Sequence, residues 1–139
     1  MRKLIIVFLF TSGFLSSQSV FDYKEINLGI YAEDIVFPGM SFLWGETYYV
    51  NDALMIDYQL GIALPTLITG KIGLGLGNNK NSCFFGVRPW PTSIYLQYTK
   101  NNKWLFTFER MVPHSANFMF DSSEPIILTI GYRWKKRKR

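Results

Sequence analysis

One cysteine, Cys83, and one histidine, His114, are all that 139 residues provide of either type. A lone cysteine excludes a disulfide framework, and none follows the N-terminal apolar run to carry a lipoprotein anchor. One Cys and one His also offer no cluster to hold a metal, and no cofactor is expected. Charge is scarce as well: 18% of residues are charged against 17% aromatic, a poor match to the charged exterior of a soluble exported domain. Beyond the first 19 residues no segment repeats with a helical period.

Met1-Arg2-Lys3 precedes an apolar run from Leu4 to Leu15 and then Ser16-Ser17-Gln18-Ser19. That order reads as a secretory signal peptide, too short in its apolar part to cross a bilayer as a helix. The expected organisation is therefore a signal over residues 1–19, one β-domain over 20–134 and a basic tail over 135–139. The net charge of +5 belongs to the ends of the chain. Of 15 Lys and Arg, two lie in the signal and five in the tail, leaving eight against ten acidic residues. A nucleic-acid groove on the folded surface is thereby disfavoured.

Period-two alternation fills the rest. From Ala53 to Leu76, Leu54, Ile56, Tyr58, Leu60, Ile62 and Leu64 alternate with Met55, Asp57, Gln59, Gly61 and Ala63; after Leu64-Pro65-Thr66, Ile68, Ile72, Leu74 and Leu76 alternate with Thr69, Lys71, Gly73 and Gly75. Similar runs occupy Glu25 to Glu33, Gly39 to Tyr48, Ser82 to Arg88, Ser93 to Thr99, Trp104 to Glu109 and Ile126 to Trp134, with Leu43 an exception to its run. Eight antiparallel strands result. The connections at Asn51-Asp52, Gly77 to Asn81 and Lys100 to Lys103 are short turns, and Met111 to Pro125 is the one long connection.

Alternation does not say which face is inside. The small, polar face carries Glu33, Asp57, Lys71, Arg88, Glu109 and Arg133 among many glycines, an unusual exterior but a suitable filling for the narrow lumen of an eight-stranded barrel. Three acids and three bases there can pair completely. The other face is Leu, Ile, Val, Phe and Met, with Trp44, Tyr48, Tyr98, Trp104, Tyr132 and Trp134 near strand ends, as an aromatic girdle at a membrane interface would have them. Cys83 falls on that apolar face. The sequence thus predicts an all-β, up-and-down, transmembrane eight-stranded barrel with a polar, filled lumen.

In this pattern the chain resembles the small outer-membrane barrels of the OmpA and OmpX kind over its whole mature length. Ile126-Ile127-Leu128-Thr129-Ile130-Gly131-Tyr132-Arg133-Trp134 is similar to the last strand by which such barrels are recognised for assembly, although five basic residues follow the terminal aromatic. The resemblance implies a monomeric outer-membrane protein of structural or interaction type without a wide pore. Its partners would be membrane lipid, lipopolysaccharide included, and the assembly machinery. A weaker resemblance, to outer-membrane lipid A deacylases, rests on His114, Ser115 and Glu124 in the long connection; it implies a lipid A-modifying hydrolase as the alternative. Adjacent His114 and Ser115 would point to opposite sides of an extended chain, which separates base from nucleophile. A third reading inverts the barrel into a soluble, lipocalin-like carrier whose apolar face lines a cavity.

Overall fold

Strands whose residues alternate between two environments bury one face each, and a closed sheet satisfies every ladder without leaving an edge. In a computed structural model, described for residues 20–32, 37–64, 66–78, 80–90, 92–112 and 126–135, the chain forms such a sheet. Its strands are β1 (Val20–Ala32), β2 (Phe37–Tyr49), β3 (Leu54–Leu64), β4 (Leu67–Gly77), β5 (Asn81–Arg88), β6 (Ser93–Lys100), β7 (Trp104–Met111) and β8 (Ile126–Lys135). They pair in sequence order, all antiparallel, and β8 closes on β1. The described residues contain no helix.

The architecture is the expected one; the boundaries differ in places. β1 begins at Val20 rather than Glu25, adding Tyr23 to the inner row beside Glu25. β2 begins at Phe37, and Pro38 is its second residue, opposite Ile30. A proline is tolerated so near a strand start because only one ladder donor is lost there. β8 runs past Trp134 to Lys135, which lies opposite Tyr23, so the first residue of the expected tail belongs to the sheet.

Both described termini lie at one rim, called here the lower rim, with the turns after β2, β4 and β6. Each turn has local chemistry to match. Asn51 Oδ1 accepts from the amides of Ala53 and Leu54, and Asn78 Oδ1 from those of Lys80 and Asn81. Asn101 and Asn102 both take positive φ, the two-residue type I′ geometry that suits the twist of a hairpin.

The interior is packed by pairing large residues with glycine. Tyr23 lies opposite Gly45 and Phe84 opposite Gly75, and a Cβ on either glycine would land on the facing ring. Leu43, out of step in its own run, is completely buried, as is Leu105. Met55, Phe84 and Tyr95 form an apolar cluster inside the barrel with Tyr49 packed against it.

Candidate functional site

Two charged groups sit inside the barrel, and the strand register builds both. Toward the lower rim, Glu25 on β1 lies directly opposite Arg133 on β8. The Arg133 Nε and Nη2 atoms donate to Glu25 Oε2 at 3.1 and 3.0 Å, and Nη2 lies 3.6 Å from Asp57 Oδ2 on β3. The guanidinium stacks on the Tyr23 ring at 3.6 Å. Asp57 accepts from Thr47 at 2.6 Å and from Gln59 at 2.9 Å, and the Tyr23 hydroxyl lies 2.7 and 2.8 Å from its two oxygens. Asn27 donates to Glu25 at 2.7 Å. One cation thus serves two carboxylates, and neutral donors meet the remaining acceptor capacity, the condition under which buried charge is tolerated.

Toward the opposite, upper rim the stoichiometry is reversed. Lys71 on β4 and Arg88 on β5 both reach Glu109 Oε1 on β7, at 2.6 and 2.9 Å, and Ser93 donates to Oε2 at 3.3 Å. The contact crosses the lumen, since β4 and β7 are not neighbours in the sheet. Lys71 stands 5.1 Å from the Tyr95 ring centroid and Arg133 6.0 Å from that of Phe84, so the apolar cluster bridges the two charged groups. All six charges are buried. They sum to zero, yet the lower group holds one excess negative charge and the upper one excess positive.

Five of the six residues expected in the lumen, Asp57, Lys71, Arg88, Glu109 and Arg133, lie here; Glu33 is outside the described residues, as are His114, Ser115 and Glu124 and the segment 1–19. Glu25 was missing from the expectation. Its signal was the parity of Tyr23, Glu25 and Asn27, which continues the inner row toward the N-terminus.

The outer face is apolar. Leu28, Leu60, Ile68, Leu74 and Leu76 are 60–66% exposed, and Phe85, Ile130 and Leu128 lie among them; Cys83 also points outward. A lipocalin-like carrier would need this row inside, and the structure has it outside. Trp44, Tyr48, Tyr98, Trp104, Tyr132 and Trp134 are on the outer face toward the lower rim. Phe42 packs against Trp44 edge-on at 4.7 Å and against Trp134 at 6.0 Å, and Tyr132 bridges Trp134 to Trp104. Tyr48 stacks on Tyr58, and both hydroxyls bond to Glu46. Among the described residues no group of three His, Cys, Asp or Glu could hold a metal ion.

No family model matches the chain, and no curated protein matches it. Among solved structures it is similar to Ail, the attachment invasion locus protein of Yersinia pestis, in complex with the heparin analogue sucrose octasulfate. That likeness has 11% identity and a TM-score of 0.45, and covers 85% of this chain and 99% of the other.

Proposed function

We propose that the protein spans an outer membrane as a monomeric eight-stranded barrel and acts as a structural or interaction protein without a wide pore. The observation that carries this reading is the inversion of the usual arrangement: six charged side chains are buried inside while an unbroken apolar belt faces outward on all eight strands. In water such a belt would expose far more contiguous apolar surface than a soluble monomer tolerates; in hydrocarbon it is the stable arrangement, and closure leaves no unpaired backbone edge.

The lower-rim aromatics then sit at the membrane interface, with Glu46 and its two tyrosines on the aqueous side. With an even number of strands both termini share one side, the periplasmic one in this reading, and the outer surface contacts membrane lipid, including lipopolysaccharide in the outer leaflet. The alternating β8, with Tyr132 and Trp134 near its end, serves as the segment recognised by the assembly machinery. The lumen admits no wide channel because Tyr23, Phe84, Tyr95 and Arg133 fill it. Fractionation combined with gel mobility before and after boiling tests the reading. The expected result is recovery in the outer-membrane fraction with a boiling-dependent mobility shift; recovery as a soluble periplasmic protein without a shift refutes it. Proteoliposomes should show no osmotic swelling in small sugars.

A further inference from the structure

Lys24 is set between two tryptophans. On β1 it lies opposite Trp134 of β8 on one side and Trp44 of β2 on the other, and all three are on the outer face. Its side chain is half-buried, and no carboxylate among the described residues forms an ion pair with it. The acidic residues next to it on that face, Asp22 and Glu46, face each other one outward pair further toward the lower rim, and Glu46 is engaged by the hydroxyls of Tyr48 and Tyr58. The same rim carries Lys80, Lys100, Lys103 and Lys135; besides Asp22 and Glu46, its carboxylates among the described residues are Asp52 in a turn and Glu25 and Asp57, both buried in the lumen.

We propose that Lys24, held between Trp44 and Trp134, binds the phosphodiester headgroup of an anionic phospholipid in the leaflet at the lower rim. The inference rests on the membrane-spanning reading and adds a ligand class and a side to it. Indoles at the interface place their apolar bodies against acyl chains and leave the ammonium between them at headgroup depth. A half-buried lysine between two indoles, with no ion pair to a carboxylate among the described residues, matches a phosphate in charge, and each basic group at an anionic membrane surface adds about fivefold to the affinity.

Tryptophan quenching by brominated lipids tests the site on the full chain refolded into phosphatidylcholine vesicles. In a Trp90→Phe background the remaining indoles, Trp44, Trp104 and Trp134, all lie at the lower rim. With equal mole fractions of brominated lipid, phosphatidylglycerol should quench several-fold more effectively than phosphatidylcholine, and added salt should weaken the preference. Lys24→Gln should remove most of it and Lys24→Arg should keep it. Replacing residues 136–139 with glutamine is the control for a preference carried by the basic tail alone. Equal quenching by both lipids in the parent overturns the site, and so does a preference that survives Lys24→Gln and vanishes only when the tail is neutralised. Failure of either lipid to quench overturns the membrane-spanning reading and the site with it.

Discussion

Glu109 is the single anion between two cations, so replacing it and replacing one of its partners should differ sharply. Glu109→Gln removes the one oxygen that both Lys71 and Arg88 approach, and leaves two like charges side by side with no compensating anion. Breaking a buried pair in this way costs about 3–5 kcal/mol. Lys71→Met removes the excess cation and leaves Glu109 with Arg88 at 2.9 Å and Ser93 at 3.3 Å. The methionine keeps most of the buried stem, so the expected loss is about 1 kcal/mol or less, because the cation's desolvation penalty disappears with its ion pair. The double variant, Lys71→Met with Glu109→Gln, strands one cation instead of two and should be more stable than Glu109→Gln alone, a non-additivity expected of residues in one network. Urea unfolding in short-chain phosphatidylcholine vesicles, followed by tryptophan fluorescence, gives all three values. A Lys71→Met loss as large as that of Glu109→Gln, or strictly additive losses, would refute the two-cation arrangement.

The lower group reverses the signs: Arg133→Met leaves Glu25 and Asp57 without a cation and should cost about 3–5 kcal/mol, whereas Glu25→Gln should cost clearly less in the same unfolding assay. Leu60→Arg, at a site 65% exposed, should destabilise the barrel in vesicles by about 2–4 kcal/mol; a change within about 0.5 kcal/mol, the usual result at a water-facing surface, argues against a lipid-facing β3. Gly45→Ala drives a methyl into the Tyr23 ring that carries Arg133 and should lower the urea midpoint by the equivalent of about 1–3 kcal/mol, with Gly70→Ala, where the added carbon meets less, as the milder comparison.

The strands were legible because a barrel wall of two environments writes period two into every segment, and the β3–β4 hairpin shows it over its whole length. Leu43 broke the rule in sequence and not in space: a narrow lumen needs bulk at some inward positions, and here leucine fills it. Strand ends were less legible, since Pro38 and the residues beside the N-terminal apolar run look like connections until their partners across the sheet are known. Tyr23 escaped for that reason, and without it Glu25, at the very start of its run, was not counted on the inner face. The partners of the charges were not legible at all. Glu25 and Arg133 are 108 positions apart and meet through the closing ladder of β1 and β8, while Lys71 reaches Glu109 across the lumen. Which cation faces which anion depends on the stagger of a closed sheet, and no local pattern records it.

The strands differ in length, 13 residues in β1 and β2 against 8 in β5, β6 and β7. At about 3.3 Å per residue and a tilt of about 40°, the short flank rises only about 20 Å along the barrel axis and the long flank about 33 Å. The apolar band of such barrels is about 25 Å tall, so no single bilayer thickness suits the whole circumference. The protein is a wedge in mechanical terms. In the membrane-spanning reading proposed above, lipids along β5 to β7 must shorten or splay, lipids along β1 and β2 need not, and the bilayer around one molecule carries a gradient of thickness whose thin side lies across the barrel from Lys24.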